Sequence, residues 1–193
     1  LQMKTLILNG SPRKNGDVAF LLEQLVSLLP GETVRLNAYT SGIRACEDCR
    51  YCKVKPGCSI HDPMQQLYRT LDTFDNIVIA SPVYFSDLTP PLLAIGSRLQ
   101  ASYMAKRFRN EQMFPRLKNG AVILTGGGDG NLDPAWDAAV KFLRLMNARN
   151  IAPLAAAQHT DHLPVSEDRQ AQDGVKVIAR WFIDHAGSSG TGY

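Results

Sequence analysis

Short apolar runs alternate with longer amphipathic stretches along this chain. KTLILNG (4–10) is apolar on both faces and stops abruptly in Asn-Gly-Ser-Pro, the pattern of a buried strand. From Asp17 to Leu29, Val18, Leu21, Leu22, Leu25 and Leu29 fall on one helical face before Pro30-Gly31 ends the run. ETVRLN (32–37) predicts a second strand, residues 63–73 a helix, and FDNIVIASPVY (74–84) a third strand. Pro90-Pro91 opens another helix, since the first-turn amides lack partners in any case. GAVILTGGG (120–128) predicts a fourth strand, and Asp133-Pro134 caps a helix carrying Trp136, Ala139, Val140, Leu143 and Met146. A weaker fifth strand is expected over 150–159, then a last helix using Val175, Ile178, Ala179 and Phe182.

Strands apolar on both faces and separated by helices predict an α/β fold, a doubly wound five-stranded parallel sheet covered by helices on both sides. In the order 2-1-3-4-5 the chain reverses direction between strands one and three, and a crevice opens at their carboxyl ends. With no internal repeat or dividing linker, one domain over 3–185 is expected, with a cysteine excursion at 45–60 and a mobile tail over 186–193. Leu1-Gln2, ahead of Met3, reads as a remnant of expression.

Composition narrows the classes without naming one. Of 193 residues, 45% are apolar and 20% charged, as in soluble globular proteins, and no apolar run is long enough to span a bilayer. A cytoplasmic protein without membrane or nucleic-acid partners is expected. The net charge of +3 is spread along the chain, and Lys106, Arg107 and Arg109 read as a solvated helix end.

Three loops carry candidate chemistry. NGSPRKNGD (9–17) leads from a strand into a helix N-terminus, where free amides and the helix dipole favour a phosphate; Ser11, Arg13, Lys14 and Asn15 add polar and cationic groups. It is neither a Walker loop nor G-x-G-x-x-G. SPVYFSD (81–87) supplies a stiff apolar and aromatic edge through Pro82, Val83, Tyr84 and Phe85. Gly126, Gly127 and Gly128 leave backbone open to a flat ring system.

All four cysteines, Cys46, Cys49, Cys52 and Cys58, sit in one C-x2-C-x2-C-x5-C window. That compactness suits one [4Fe-4S] cluster. Zinc, redox-active thiols and structurally inert thiols remain open, although zinc usually takes two separated C-x-x-C pairs. His61, before Asp62-Pro63, reads as a neighbour of a helix cap instead of a ligand.

GSPRKNGD after strand one, the cysteines after strand two, SPVYF after strand three and TGGG after strand four resemble the NADPH-dependent FMN reductase and iron-sulfur flavoprotein family of flavodoxin-like proteins. The resemblance runs from Lys4 to about Ile183. It implies FMN phosphate on Ser11, Arg13, Lys14, Asn15, Gly16, Asp17 and Val18, and the flavin ring against Pro82–Phe85 and Gly126–Gly128. Such proteins often read G-N-T or G-N-S where this chain has Gly16-Asp17-Val18, so a phosphate-binding hydroxyl is missing here. The implied activity is FMN-dependent NAD(P)H oxidation, with the cysteines on a [4Fe-4S] cluster and electrons passed to a small-molecule or protein acceptor. FMN carries the chemistry, so no catalytic side chain is expected, and a homodimer or homotetramer is. The alternatives are an electron carrier without its own substrate, an FMN or quinone reductase lacking a cluster, and a zinc-stapled binding module.

Overall fold

The computed structural model describes residues 2–187. Leu1 and most of the tail expected to be mobile, from Ser188 on, lie outside the described residues. Strands β1 (Met3–Asn9), β2 (Gly31–Asn37), β3 (Asn76–Pro82), β4 (Lys118–Thr125) and β5 (Ala148–Ile151) form a sheet in the order β2-β1-β3-β4-β5. Every pairing is parallel, with Leu6 opposite Val34 on one side and Ile77 on the other.

Alternation along the central strands divides the core in two. Leu6, Leu8, Ile77, Ile79, Val122 and Leu124 pack on the face covered by α3 (Met64–Thr70), α4 (Pro90–Ser97) and α6 (Asp133–Leu145). Ile7, Val78, Ala80, Ala121 and Ile123 face α1 (Asp17–Leu28) and α7 (Arg169–Asp184). Successive residues thus serve opposite layers, which is why these strands read as unbroken apolar runs.

Two expectations need correction. Residues 150–159 are not one strand: Pro153 has no amide for the ladder, and Ala155–Ala157 resumes separately as β6, also parallel to β4. Pro90-Pro91 does open a helix, as expected; it breaks at Arg98-Leu99, and α5 (Gln100–Arg109) follows. Asp133 is the first residue of α6, not its cap; Asn131 Oδ1 accepts the Asp133 amide at 2.9 Å. Among the described residues no helix is long and apolar enough to cross a membrane.

A polar ladder pins the register across the sheet near the strands' amino ends. Asn76 Nδ2 donates to Thr5 Oγ1 at 3.2 Å, Asn119 Nδ2 to Asn76 Oδ1 at 3.0 Å, and Asn150 Nδ2 to Asn119 Oδ1 at 3.0 Å. A one-residue slip would break all three bonds and turn each side chain to the wrong face. Asn119→Ala strands the buried Asn76 carbonyl, so urea unfolding should show a loss of about 1–3 kcal/mol with an unchanged m-value.

Candidate functional site

The reversal between β1 and β3 gathers the carboxyl-end loops around one crevice. Gly10 closes onto β3 through its amide, 2.8 Å from the Ala80 carbonyl, and its own carbonyl accepts the Thr89 hydroxyl at 2.9 Å. A Cβ at Gly10 would lie 2.2 Å from Leu92, so the backbone passes there only without a side chain. Asn9 Oδ1 then accepts the Ser11 amide at 3.0 Å and Ser11 Oγ the Arg13 amide at 3.2 Å, folding the loop back toward α1. Arg13, Lys14 and Asn15 stand exposed, and Gly16 caps α1 without any side-chain acceptor for the first-turn amides. That leaves a helix N-terminus facing solvent beside a cation, the arrangement that binds a phosphate. Val18 is buried in the core, so its amide alone can serve this site; Asp17 places a carboxylate in the same turn.

The loop after β3 is strained outward. Phe85 and Ser86 take left-handed backbone angles, φ 51° and 65°, in a tight turn closed by Tyr84 and Asp87. A non-glycine residue pays roughly 1–2 kcal/mol for that conformation, yet the Phe85 ring is fully exposed. Val83 donates to the Thr125 carbonyl at 2.8 Å, which ties this loop to the glycines at the end of β4. Gly127 is tight, since a Cβ there would meet the Asp161 carboxylate at 2.5 Å, whereas Gly128 has open space.

The segment between Thr40 and Met64 contains a single regular turn, α2 (Tyr51–Val54). Polar straps hold it. Arg98, between α4 and α5, reaches Asp62 Oδ2 at 2.6 Å, the Arg44 carbonyl at 3.0 Å and the Ile60 carbonyl at 3.3 Å. Asp62 also accepts the amides of Arg44 and Met64, both at 3.0 Å. Ser97 Oγ takes the Cys46 amide at 2.9 Å, Gln65 Nε2 donates to the carbonyls of Cys58 and Ile60, and Arg109 donates to that of Cys52. Lys53 lies over the Phe108 ring at 4.7 Å.

So held, all four cysteines line one pocket, shared with the charged Glu47, Asp48, Arg50 and Arg98, with Gln100, and with Ile60, Ala101 and Met104. None is oxidised to a disulfide. Burial, and then repulsion from Cys58, Cys46 and Cys49, raises the Cys52 thiol above its ordinary pKa. Cys49 is drawn the other way by the Ser59 hydroxyl, 3.1 Å from its sulfur, and by the Tyr51 amide. Among the described residues, no three histidine, cysteine, aspartate or glutamate side chains converge as ligands of one metal ion. His61 is exposed and outside the pocket, while the adjoining Asp62 accepts the Met64 amide at the start of α3.

Sequence reasoning brought the cysteines and the crevice loops to light but missed the straps. Arg98 had one legible trace, a lone charge inside the apolar stretch PLLAIGSRLQA. Arg109 does not share the solvated helix end expected of it with Lys106 and Arg107 but turns back onto the cysteine segment; the other two are exposed as expected. A broad open groove of about 1090 Å³, lined in part by Lys106, Lys141, Arg144 and Arg149, lies at the opposite end of the sheet and belongs to neither site.

The model of the NADPH-dependent FMN reductase family matches residues 3–162, a span that includes the crevice loops and the cysteine segment. An iron-sulfur flavoprotein of Methanocaldococcus jannaschii is 24% identical over 112 residues, covering 56% of this chain and 58% of the relative. Another, from Archaeoglobus fulgidus, is 31% identical over 133 residues, covering 66% of this chain and 63% of the relative. The chain thus spans less than two thirds of these relatives' length. An azoreductase from Bacillus anthracis superposes with a TM-score of 0.63 over 95% of this chain and 100% of that one, at 14% identity, a likeness of fold.

Asp62 is the hinge of the straps. Burial alone would raise its pKa, but hydrogen bonds from Arg98 and the Arg44 amide outweigh that and hold it below the ordinary carboxylate value. A depressed pKa contributes stability that is complete above the unfolded value of about 3.9 and is lost as pH falls through the folded value. Asp62→Ala leaves the Arg98 charge buried and unpaired, and should cost about 3–5 kcal/mol at neutral pH. The difference in Tm from the parent should shrink below about pH 4.

Proposed function

The chain belongs to the NADPH-dependent FMN reductase family, and from that premise we propose that it binds FMN in the β1–β3 crevice and a [4Fe-4S] cluster on its four cysteines. It takes electrons from NAD(P)H and delivers them to a small-molecule or protein acceptor. The observation that carries this reading is that one fold edge presents both an uncapped helix N-terminus beside Arg13 and a pocket lined by all four thiols.

Bound FMN supplies two-electron exchange with a nicotinamide, and a bound cluster supplies single-electron transfer. The residues of this chain do the rest. Ser11, Arg13, Lys14, Asn15 and the amides of Gly16, Asp17 and Val18 would hold the phosphate. Pro82, Val83, Tyr84 and Phe85 would border the ring on one side, and Gly126–Gly128 would let backbone approach it on another. Asp17 and the missing hydroxyl at Val18 set an upper limit on phosphate affinity, because a carboxylate beside the site repels the guest.

For the cysteines, spacing favours a cluster over zinc. All four fall in one compact window and line one pocket, whereas zinc usually takes two separated C-x-x-C pairs. Redox-active thiols are the second reading, favoured by the exposure and lowered pKa of Cys49. Association into a dimer or tetramer is part of the proposal, supported by Val54, Tyr103 and Phe108, exposed to 72%, 47% and 50% on α2 and α5.

Two outcomes test the flavin half. Arg13→Ala should weaken FMN binding about tenfold in a fluorescence-quenching titration, the low end for a charge-assisted bond at an exposed site. Unchanged affinity would move the phosphate elsewhere. Phe85→Ala should leave the unfolding free energy within about 0.5 kcal/mol of the parent while altering the flavin absorption envelope, since the ring packs on nothing in the protein itself. An unaltered spectrum counts against ring contact.

A further inference from the structure

Arg98 is 1% exposed and lines the pocket that holds the four thiols. Its Nη1 donates to Asp62 and the Arg44 carbonyl, and its Nη2 to the Ile60 carbonyl. Its Nε is buried and has no hydrogen-bond partner. A buried, charged donor left without an acceptor is costly, and buried polar groups in folded proteins are nearly always satisfied. The pocket that Arg98 lines also holds the four cysteines, beside Glu47 and Asp48, and no side chain of that lining bonds the Nε. Burial opposes the charge on Arg98, but the hydrogen bond to Asp62 together with the charges of Tyr68, Cys58 and Asp62 outweighs it, so Arg98 stays a cation.

We propose that the Arg98 Nε–H donates to sulfur at the cluster, a bridging sulfide or Cys58 Sγ, and that Arg98 thereby sets the reduction potential. This rests on reading the cysteines as cluster ligands. Reduction adds one electron and one negative charge to the cluster, and a fixed donor and cation beside its sulfur stabilise the reduced form more than the oxidised one. No proton moves, because a guanidinium remains protonated. Arg98 is a positioning and tuning residue: it fixes the cysteine segment through Asp62 with one end and polarises sulfur with the other.

The test uses the whole chain purified without oxygen and reduced with dithionite. Protein grown with 15N-arginine should show a 15N hyperfine coupling in pulsed EPR of the reduced cluster. Arg98→Lys keeps the charge but removes Nε; it should retain about four irons per chain, lose the coupling, and titrate at a more negative midpoint. A purely structural Arg98 would leave the midpoint of an iron-loaded variant unmoved, which overturns the proposal. Coupling that persists in that variant overturns it too, by assigning the contact to another arginine. If Arg98→Lys cannot hold iron, the labelled parent decides alone: iron present without coupling defeats the Arg98 assignment and spares the cluster reading. A parent protein without iron defeats both.

Discussion

Everything distinctive about this chain hangs on a buried ion pair between two loops that the sheet itself does not order. Arg98 leaves the break between α4 and α5, meets Asp62 at 2.6 Å, and uses its remaining donors on carbonyls of the cysteine segment. A segment of more than twenty residues with one helical turn and little apolar content could not hold a shape by burial. It holds one because charged and polar side chains from α3, α4 and α5 accept or donate at its backbone. Such pairs add little net stability against a hydrophobic alternative, but they specify geometry. Here the geometry specified is the facing of four thiols into one pocket.

The parallel sheet provides the frame for both sites. Because every strand runs the same way, every strand-to-helix loop leaves from one edge, and the reversal at β1 and β3 leaves a gap between helices on opposite faces. The phosphate-type loop, the Phe85 turn and the glycines after β4 all sit on that edge, and the cysteine segment follows β2 from it as well. Placing the two sites on one edge follows from topology before any side chain is considered. Backbone strain is found on this edge too: Phe85 and Ser86, and in the cysteine segment Asp48 and Arg50, take left-handed backbone angles.

Much of this was legible in the sequence. Strands buried on both faces announce themselves as continuous apolar runs, and KTLILNG, NIVIASP and AVILT do so, which fixes the class and, with the reversal rule, the strand order. The crevice loops were legible because their residues, glycines and a short aromatic run, have few uses inside a core. What was not legible depends on contacts distant in the chain. Arg98 and Asp62 lie 36 residues apart, and nothing local says that a charge after an apolar helix will be buried and paired. Arg109 looked like its neighbours Lys106 and Arg107 because helical position alone cannot tell which cation folds back. The division of the last strand at Pro153 was legible in principle, since proline cannot join a ladder, but the alanine-rich run around it masked the break.

The central claim is that the four thiols are one redox centre's ligands in a flavin-binding protein. The most direct measurement is iron, zinc and acid-labile sulfide per chain in protein purified without oxygen. About four irons and four sulfides per chain, with zinc near zero, are what this account predicts. Stoichiometric zinc, or neither metal, would contradict it and leave a flavoprotein whose cysteine pocket serves another end.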